Sequence, residues 1–483
     1  MERHRTKAKS QSTFVFFLAT LITIAFFTQW LDISIITGSL QRTFSSQTYS
    51  EEFDCSINCS QTSQPITTNA VINPSKQTCP EYFRWIHEDL RAWRDTGITK
   101  EMVENAKNVA HIRIIIVNGR LYTQKYKDVY QTRDVVTVWG LLQLLRLYPG
   151  RLPDLDLMLE CADKPVIKKR NYVGPDSSVP PLFHYCGDES SYDIVFPDWS
   201  FWGWPEVNIK PWEELKEDIK EGSRRIKWKD KEPYAYWKGN AKLGAARREL
   251  LKCNISDRKD TKARIFSMVM YQNLQFSFYI FEWKEEKKQN FRNTDLASQC
   301  NYRYKIYVEG VSWSVSQKYI LACDSMALVI KPRYYDFFTR SLLPSIHYWP
   351  IDEKNMCKSI EYAVEWGNKY ADKAEEIGKD GSEFVQENLA MEYIYDYTFH
   401  LLNEYAKLLK YKPRVPQGAI ETCSENLICS VKGQKRRFRK HSMVKNPSDS
   451  LPCDLPPAYD IAALRALFER KESLENRVFQ RDF

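Results

Sequence analysis

Tyr302–Pro332, YRYKIYVEGVSWSVSQKYILACDSMALVIKP, is the stretch on which the fold turns. Tyr304–Val308 alternates aromatic or β-branched residues with polar ones and runs straight into Glu309-Gly310, a strand meeting a tight turn. Ser312–Ser316 is rich in hydroxyls and stands where a short helix would begin. Ile320–Cys323 is apolar, and Ala327–Ile330 has the continuous apolar character of a parallel strand buried on both faces. Strand, turn, helix and strand make a βαβ unit. The turn after its first strand aims backbone N–H groups and a helix N-terminus at one point, which suits a phosphate. A nucleotide-dependent enzyme is the expectation.

The pattern extends in both directions. Upstream, after the charged segment Glu213–Lys231, Pro233–Lys238 reads as a strand, Gly239-Asn240 as a turn and Leu243–Lys252 as a helix. Downstream, Met356–Tyr370 and Tyr393–Leu409 read as helices, the second placed to pack back on the N-terminal half. Nearer the N-terminus, Phe83, Ile86, Leu90 and Trp93 share a helical face that Gly97 closes. His111–Val117 is an apolar strand, and Asn118-Gly119 is a two-residue hairpin signal into Arg120–Tyr126. Val135–Tyr148 is a helix stopped by Pro149-Gly150, and Leu155–Glu160 and Tyr192–Phe196 are further strands. Strands alternating with helices predict an α/β chain with two doubly wound domains, 79–212 and 213–412, facing a cleft.

The flanks differ in kind. Arg3, Arg5, Lys7 and Lys9 precede an uncharged, apolar run, Ser10–Leu31, long enough at ~1.5 Å per residue to cross a ~30 Å hydrocarbon core. The basic flank predicts a cytoplasmic tail (1–9), a single-pass type II membrane anchor (10–31) and a lumenal remainder. The run is long for a signal peptide and no small-residue cleavage site follows it closely. Residues 32–78, rich in Ser, Thr and Gln, predict an extended stem. Twelve cysteines favour an oxidising compartment, and Cys55 and Cys59 suit disulfides better than a metal. Asn58 and Asn254 head glycosylation sequons. The C-terminal Gln480-Arg481-Asp482-Phe483 carries no ER-retrieval signal, which points to the Golgi. A net charge of +8 on 483 residues does not indicate a nucleic-acid partner. Residues 413–483, with Lys432, Lys435, Arg436, Arg437, Arg439 and Lys440 between proline-containing segments, predict a basic, largely disordered tail. Within it, Ala458–Asn476 has the pattern of a short helix.

Four segments in order, PDLDLMLECADKPVI (153–167), FPDWSFWGWPEV (196–207), PYAYWKGN (233–240) and the CNYRYKIYVEG…SVSQKYILACDSMALV block (300–329), resemble the CAP10-like glycosyltransferases of family 90. That family includes the protein O-glucosyltransferases called Rumi. Cys79-Pro80-Glu81-Tyr82-Phe83 looks like its plant branch, and the resemblance spans about 79–410. It implies a GT-B fold, two Rossmann-like domains with the sugar nucleotide mainly on the second. It also implies metal-independent, inverting transfer from UDP-glucose or UDP-xylose, with no cofactor beyond that donor and with a protein or polysaccharide acceptor.

Inversion is a single displacement, so one carboxylate must take the acceptor's proton. The family's base matches Asp163 in Asp163-Lys164-Pro165, at the carboxyl end of a strand where open sheets bind ligands. Its donor-binding turns match Lys238, Gly239 and Asn240, and Gly310, Val311, Ser312, Trp313 and Ser314. Animal members carry an arginine where Ser316 stands, which leaves Lys318 and Arg247 as candidates for the diphosphate's missing cation. Glu309 and Gln317 occupy the two ends of a nucleotide-sugar spacing, with the second acid replaced. Asp198, Trp199, Ser200, Phe201, Trp202 and Gly203, with Trp204 beyond them, match an acceptor or sugar cleft, where indole faces would stack on sugar C–H faces. Cys300 and Cys323 match a pair that is bridged in animal relatives.

Two rival readings have observable consequences. Asp154-Leu155-Asp156 is formally a DxD, the metal-holding motif of GT-A transferases, although its apolar strand runs through the motif rather than ending at it. A non-catalytic carbohydrate-binding scaffold on a transferase fold fits Ala162, Gln317 and the missing loop arginine, and Asp163 speaks against it.

Overall fold

The computed structural model describes Cys55, Cys59 and residues 77–174, 177–254, 262–267 and 295–480, all within one contact unit, Asp54–Phe483. The expected anchor (10–31), nearly all of the expected stem (32–78), and Asn58 lie outside the described residues. Among those described, no helix is long and apolar enough to cross a membrane.

Strands β1 (Ile112–Val117) and β2 (Arg120–Lys125) form the hairpin that Asn118-Gly119 predicts. Both turn residues have positive φ, 51° and 74°, the handedness that matches strand twist. β3 (Leu155–Leu159) lies antiparallel on the other side of β1, then β4 (Phe183–His184) and β5 (Ile194–Val195) follow in parallel. This sheet is mixed rather than doubly wound, which corrects the expectation for the N-terminal half. A two-residue loop can only return the chain antiparallel, whereas a parallel neighbour needs a long crossover.

The second sheet is the expected parallel one. β6 (Glu232–Gly239), β7 (Ala263–Ser267), β8 (Tyr302–Tyr307), β9 (Met326–Ile330) and β10 (Trp349–Ile351) pair in the order β10-β9-β8-β6-β7. β9 is buried throughout, as its unbroken apolar sequence requires. Its core joins Trp237, Tyr304, Ile306 and Leu328 to Ile360, Ala363 and Val364 of the helix Met356–Lys369. β6 has β7 on one side and β8 on the other, so the strand order reverses between β6 and β8. A crevice opens at the carboxyl ends of strands at such a point.

The tail is not disordered, a second correction. β11 (Ile420–Thr422) extends the first sheet beyond β2, and helices Ser424–Cys429, Gly433–His441 and Ile461–Phe479 follow. Cys55–Cys429, Cys59–Cys423 and Cys79–Cys453 bind it covalently to the start of the unit. The basic run forms the middle helix. Phe438 is buried on one side of that helix, while Lys435 meets Glu206 at 3.1 Å and Arg437 and His441 meet Glu214 at 3.5 and 2.7 Å. Those carboxylates lie more than 200 residues upstream, so local composition alone cannot announce them.

Cys253–Cys357 and Cys300–Cys323 complete the disulfides among the described residues, the second as the family resemblance implies. Five bridges fit an oxidising compartment. Cys161 and Cys186 are buried and free. His400 lies beside Cys79 and Cys453, but those sulfurs are bonded to each other and His400 Nε2 meets the Cys453 carbonyl at 2.7 Å.

Candidate active site

A cavity of about 770 Å³ opens at the β6/β8 reversal and is walled on its far side by the first sheet's loops. Lys238, Gly239 and Asn240 line it from the end of β6, and Gly310, Val311, Trp313, Ser314 and Ser316 from the turn after β8. The two turns approach so closely that a Cβ on Gly244, at φ +105°, would sit 2.4 Å from the Gly310 carbonyl oxygen. Only glycine fits there.

Arg247, from the helix Ala245–Lys252, joins the two turns and lines the cavity. Its guanidinium donates to the carbonyls of Glu309 (2.9 Å), Asn240 (3.2 Å) and Val308 (3.4 Å) and to Ser314 Oγ (3.4 Å). Among the described residues no carboxylate pairs with it, and burial pushes its pKa down to about 10. A buried cation held by neutral oxygens and the Trp237 ring, 5.8 Å away, is short of an anion. Lys305, unremarked in the sequence, also lines the cavity. Its closest partner among the described residues is Cys323 Sγ at 3.1 Å, and burial, with Lys231 adding repulsion, pushes its pKa down to about 7.

Lys318, the other candidate for the missing cation, does not line the cavity. Its ammonium is buried 3.2 Å from Asp198 Oδ2 and 2.8 Å from Ser200 Oγ. Asp198 also accepts from the Ser200 N–H at 2.7 Å, and Tyr319 donates to Ser200 Oγ at 3.0 Å. These groups tie the two halves together beneath the cavity. Burial pushes the nearby Asp336 carboxyl up to about 7, with Lys318 opposing the rise. Lys318→Met strands the Asp198 carboxylate in that dry site, and breaking a buried pair in this way typically costs about 3–5 kcal/mol. Urea unfolding of the variant is expected to show a loss of that size; an unchanged midpoint would refute the tie.

Only Trp199 of the segment 198–203 lines the cavity, together with Trp204. Arg133 lies 4.3 Å over the Trp199 ring. Phe201 packs on Trp212 and Phe337, and Trp202 donates to Tyr395 Oη at 3.0 Å. Most of this aromatic run is therefore packing between the halves, because one 3₁₀ turn cannot point successive rings to the same side. Glu309 is also turned from the cavity. It accepts from the N–H groups of Arg333 (2.9 Å) and Tyr334 (2.7 Å), and burial pushes its carboxyl up to about 7. Gln317 is buried on the helix Ser316–Leu321. Asn254 donates to the Ile265 carbonyl at 3.4 Å, and the rest of its sequon lies outside the described residues.

Asp163 lines the cavity from the loop beyond β3, with 41% of its side chain exposed. Arg133 Nη1 donates to Asp163 Oδ1 at 3.0 Å and to the Cys161 carbonyl at 3.2 Å. Glu160 accepts from the Ala162 N–H at 3.0 Å and lies 2.8 Å from His184 Nε2. The carboxylate is thus aimed from a braced loop. Arg133 has no local signature, since it precedes Asp163 by thirty residues. The formal DxD faces elsewhere: Asp156 is bidentate to buried Arg113 at 2.7 and 2.6 Å, and Asp154 accepts from the Asn118 N–H at 2.7 Å. Neither lines the cavity, so the GT-A reading loses its carboxylates.

The profile of Glycosyl transferase family 90 matches residues 74–481. Protein O-glucosyltransferase 1 of Homo sapiens is 26% identical over 348 residues, covering 70% of this chain and 82% of that protein. The O-glucosyltransferase rumi of Drosophila melanogaster is 24% identical over 358 residues, covering 70% and 80%. The rumi homolog of Aedes aegypti is 26% identical over 348 residues, covering 69% and 79%. The matched residues take in both sheets, the loops that wall the cavity and the helices beyond residue 412, and with a profile match over most of its length this chain belongs to glycosyltransferase family 90.

Proposed function

We propose that the chain transfers glucose or xylose from a UDP-sugar to a protein or glycan hydroxyl, with inversion, without a metal, and with Asp163 as the base. The observation that carries this reading is the position of Asp163 across one cavity from Arg247 and the two turns of the parallel sheet. The acceptor oxygen bonds to the anomeric carbon as its proton passes to Asp163. The bond from that carbon to the β-phosphate oxygen breaks, and its electron pair leaves with UDP. Arg247 and Lys238 receive the charge that develops there, a role preorganised donors fill without reorganisation. Trp204, half-buried at the cavity wall, offers a face for the sugar or acceptor. Two α/β halves around a cleft support a GT-B architecture, and the names of the relatives favour a protein hydroxyl over a polysaccharide. The apolar run at 10–31 and the disulfides support a type II protein of the Golgi membrane with its catalytic part in the lumen.

The test is UDP release by the purified protein across a panel of UDP-sugars in EDTA. Release from one of UDP-glucose or UDP-xylose, undiminished by the chelator, is the expected result. EDTA-sensitive release would restore a metal-dependent mechanism. Glycan binding with neither UDP binding nor release would leave the non-catalytic scaffold.

A further inference from the structure

Ser312 belongs to the donor turn in sequence but not in direction. It is 1% exposed, does not line the cavity, and donates its hydroxyl to the main-chain carbonyl of Asp163. Its neighbours hold it there. The Gly310 N–H donates to the Ser312 carbonyl at 2.9 Å, and the Ser314 N–H donates to Tyr307 Oη at 3.2 Å. Trp313 packs beside Tyr185 and Trp199, with ring centroids 6.0 and 6.2 Å away. The same Asp163 carbonyl accepts from Cys186 Sγ at 3.3 Å. Burial pushes that thiol's pKa up, so it stays a protonated donor. A carbonyl oxygen has two lone pairs, and here one donor comes from each half of the molecule. Cys186 belongs to the half that carries Asp163 and stays with it in any arrangement of the cleft. Ser312 reaches the carbonyl only when the donor turn is in this position.

We infer that Ser312 is a positioning residue that sets the Asp163 loop from the donor turn, coupling donor binding to base placement, and is not itself a ligand of the donor. The inference rests on Asp163 being the base. A donor settling between Gly310 and Ser316 orders the turn, the turn holds Ser312 on the base loop, and the carboxylate meets the acceptor hydroxyl already aimed. Misplacement of a reacting group by about 1 Å is worth about 10²-fold in rate, so one hydrogen bond at this point has leverage.

The test compares wild type, Ser312→Ala, Ser312→Thr, Cys186→Ala and the double variant Ser312→Ala/Cys186→Ala. The readouts are UDP release from whichever of UDP-glucose and UDP-xylose wild type turns over, and the UDP Kd by calorimetry. Ser312→Ala is expected to slow release by about 10- to 100-fold while the UDP Kd stays within about twofold. Threonine, which keeps the hydroxyl, restores most of the rate. The double variant falls below the product of the two single losses, because only there is the carbonyl without a donor. An unchanged rate in Ser312→Ala, or a loss of UDP affinity that accounts for its rate loss, overturns the inference and leaves Asp163 as base untouched. If wild type released UDP from neither sugar, the base assignment and this inference would fall together.

Discussion

Asp163→Asn is expected to stop transfer and leave UDP bound. General-base catalysis is worth about 10²- to 10⁴-fold, and asparagine removes the basic oxygen while keeping the shape. Its Oδ1 can still accept from Arg133 Nη1, and the main-chain carbonyl held by Ser312 and Cys186 is unaltered. The loss should therefore fall on kcat, with a UDP Kd near that of wild type. UDP release and calorimetry on the same preparation separate the two quantities. The other aspartates lining the cavity are otherwise engaged: Asp218 meets Lys210 Nζ at 2.6 Å, and Asp295 accepts from the N–H groups of Ala297 and Ser298 at 3.2 Å each. More than a tenth of wild-type release in Asp163→Asn would remove Asp163 as the base and turn attention to those two.

Ending the chain at residue 412 is expected to abolish folding. The truncation removes β11 from the first sheet and takes Cys423, Cys429 and Cys453 from Cys59, Cys55 and Cys79. Loss of one native disulfide commonly costs about 2–5 kcal/mol, against a total stability of about 5–15 kcal/mol for an ordinary domain. Packing is lost as well. Cys453 donates its N–H to Asp396 Oδ2 at 2.9 Å, and Gln143 meets Ser424 Oγ at 3.2 Å in a buried contact. Expression of 1–412 beside the full chain, followed by limited proteolysis and urea unfolding, measures the effect. A protease-resistant product that unfolds at the full-chain midpoint would show the segment to be dispensable.

Much of the cavity wall was legible in the sequence because its carriers are local patterns. Strand, turn and helix at 302–321 require only alternation, a glycine and a run of hydroxyls, and the turn residues 310, 311, 313, 314 and 316 do line the cavity. Asp163 does line the cavity, and its proposed role rests on the resemblance at its Asp-Lys-Pro rather than on any property of its own. The aromatic run 199–204 misled, because ring content says nothing about which way each ring points. Arg133 and Lys305 passed unnoticed, since a helix-start arginine and a strand lysine are ordinary until their surroundings are known.

The sequence by itself determined the elements whose causes lie within a few residues: the Asn118-Gly119 hairpin, the unbroken apolar strand Met326–Ile330 and the βαβ turn beside it. The tertiary structure decided what those elements face. Lys318 and Arg247 were equal candidates in sequence. One is buried against Asp198, 120 residues away, while the other bridges the turns after β6 and β8 through carbonyls and looks into the cavity. The basic run 432–440 became a packed helix because Glu206 and Glu214 meet it from far upstream. Backbone conformation follows from short-range sterics and periodicity, whereas the fate of a charge depends on partners and burial that only the folded chain supplies.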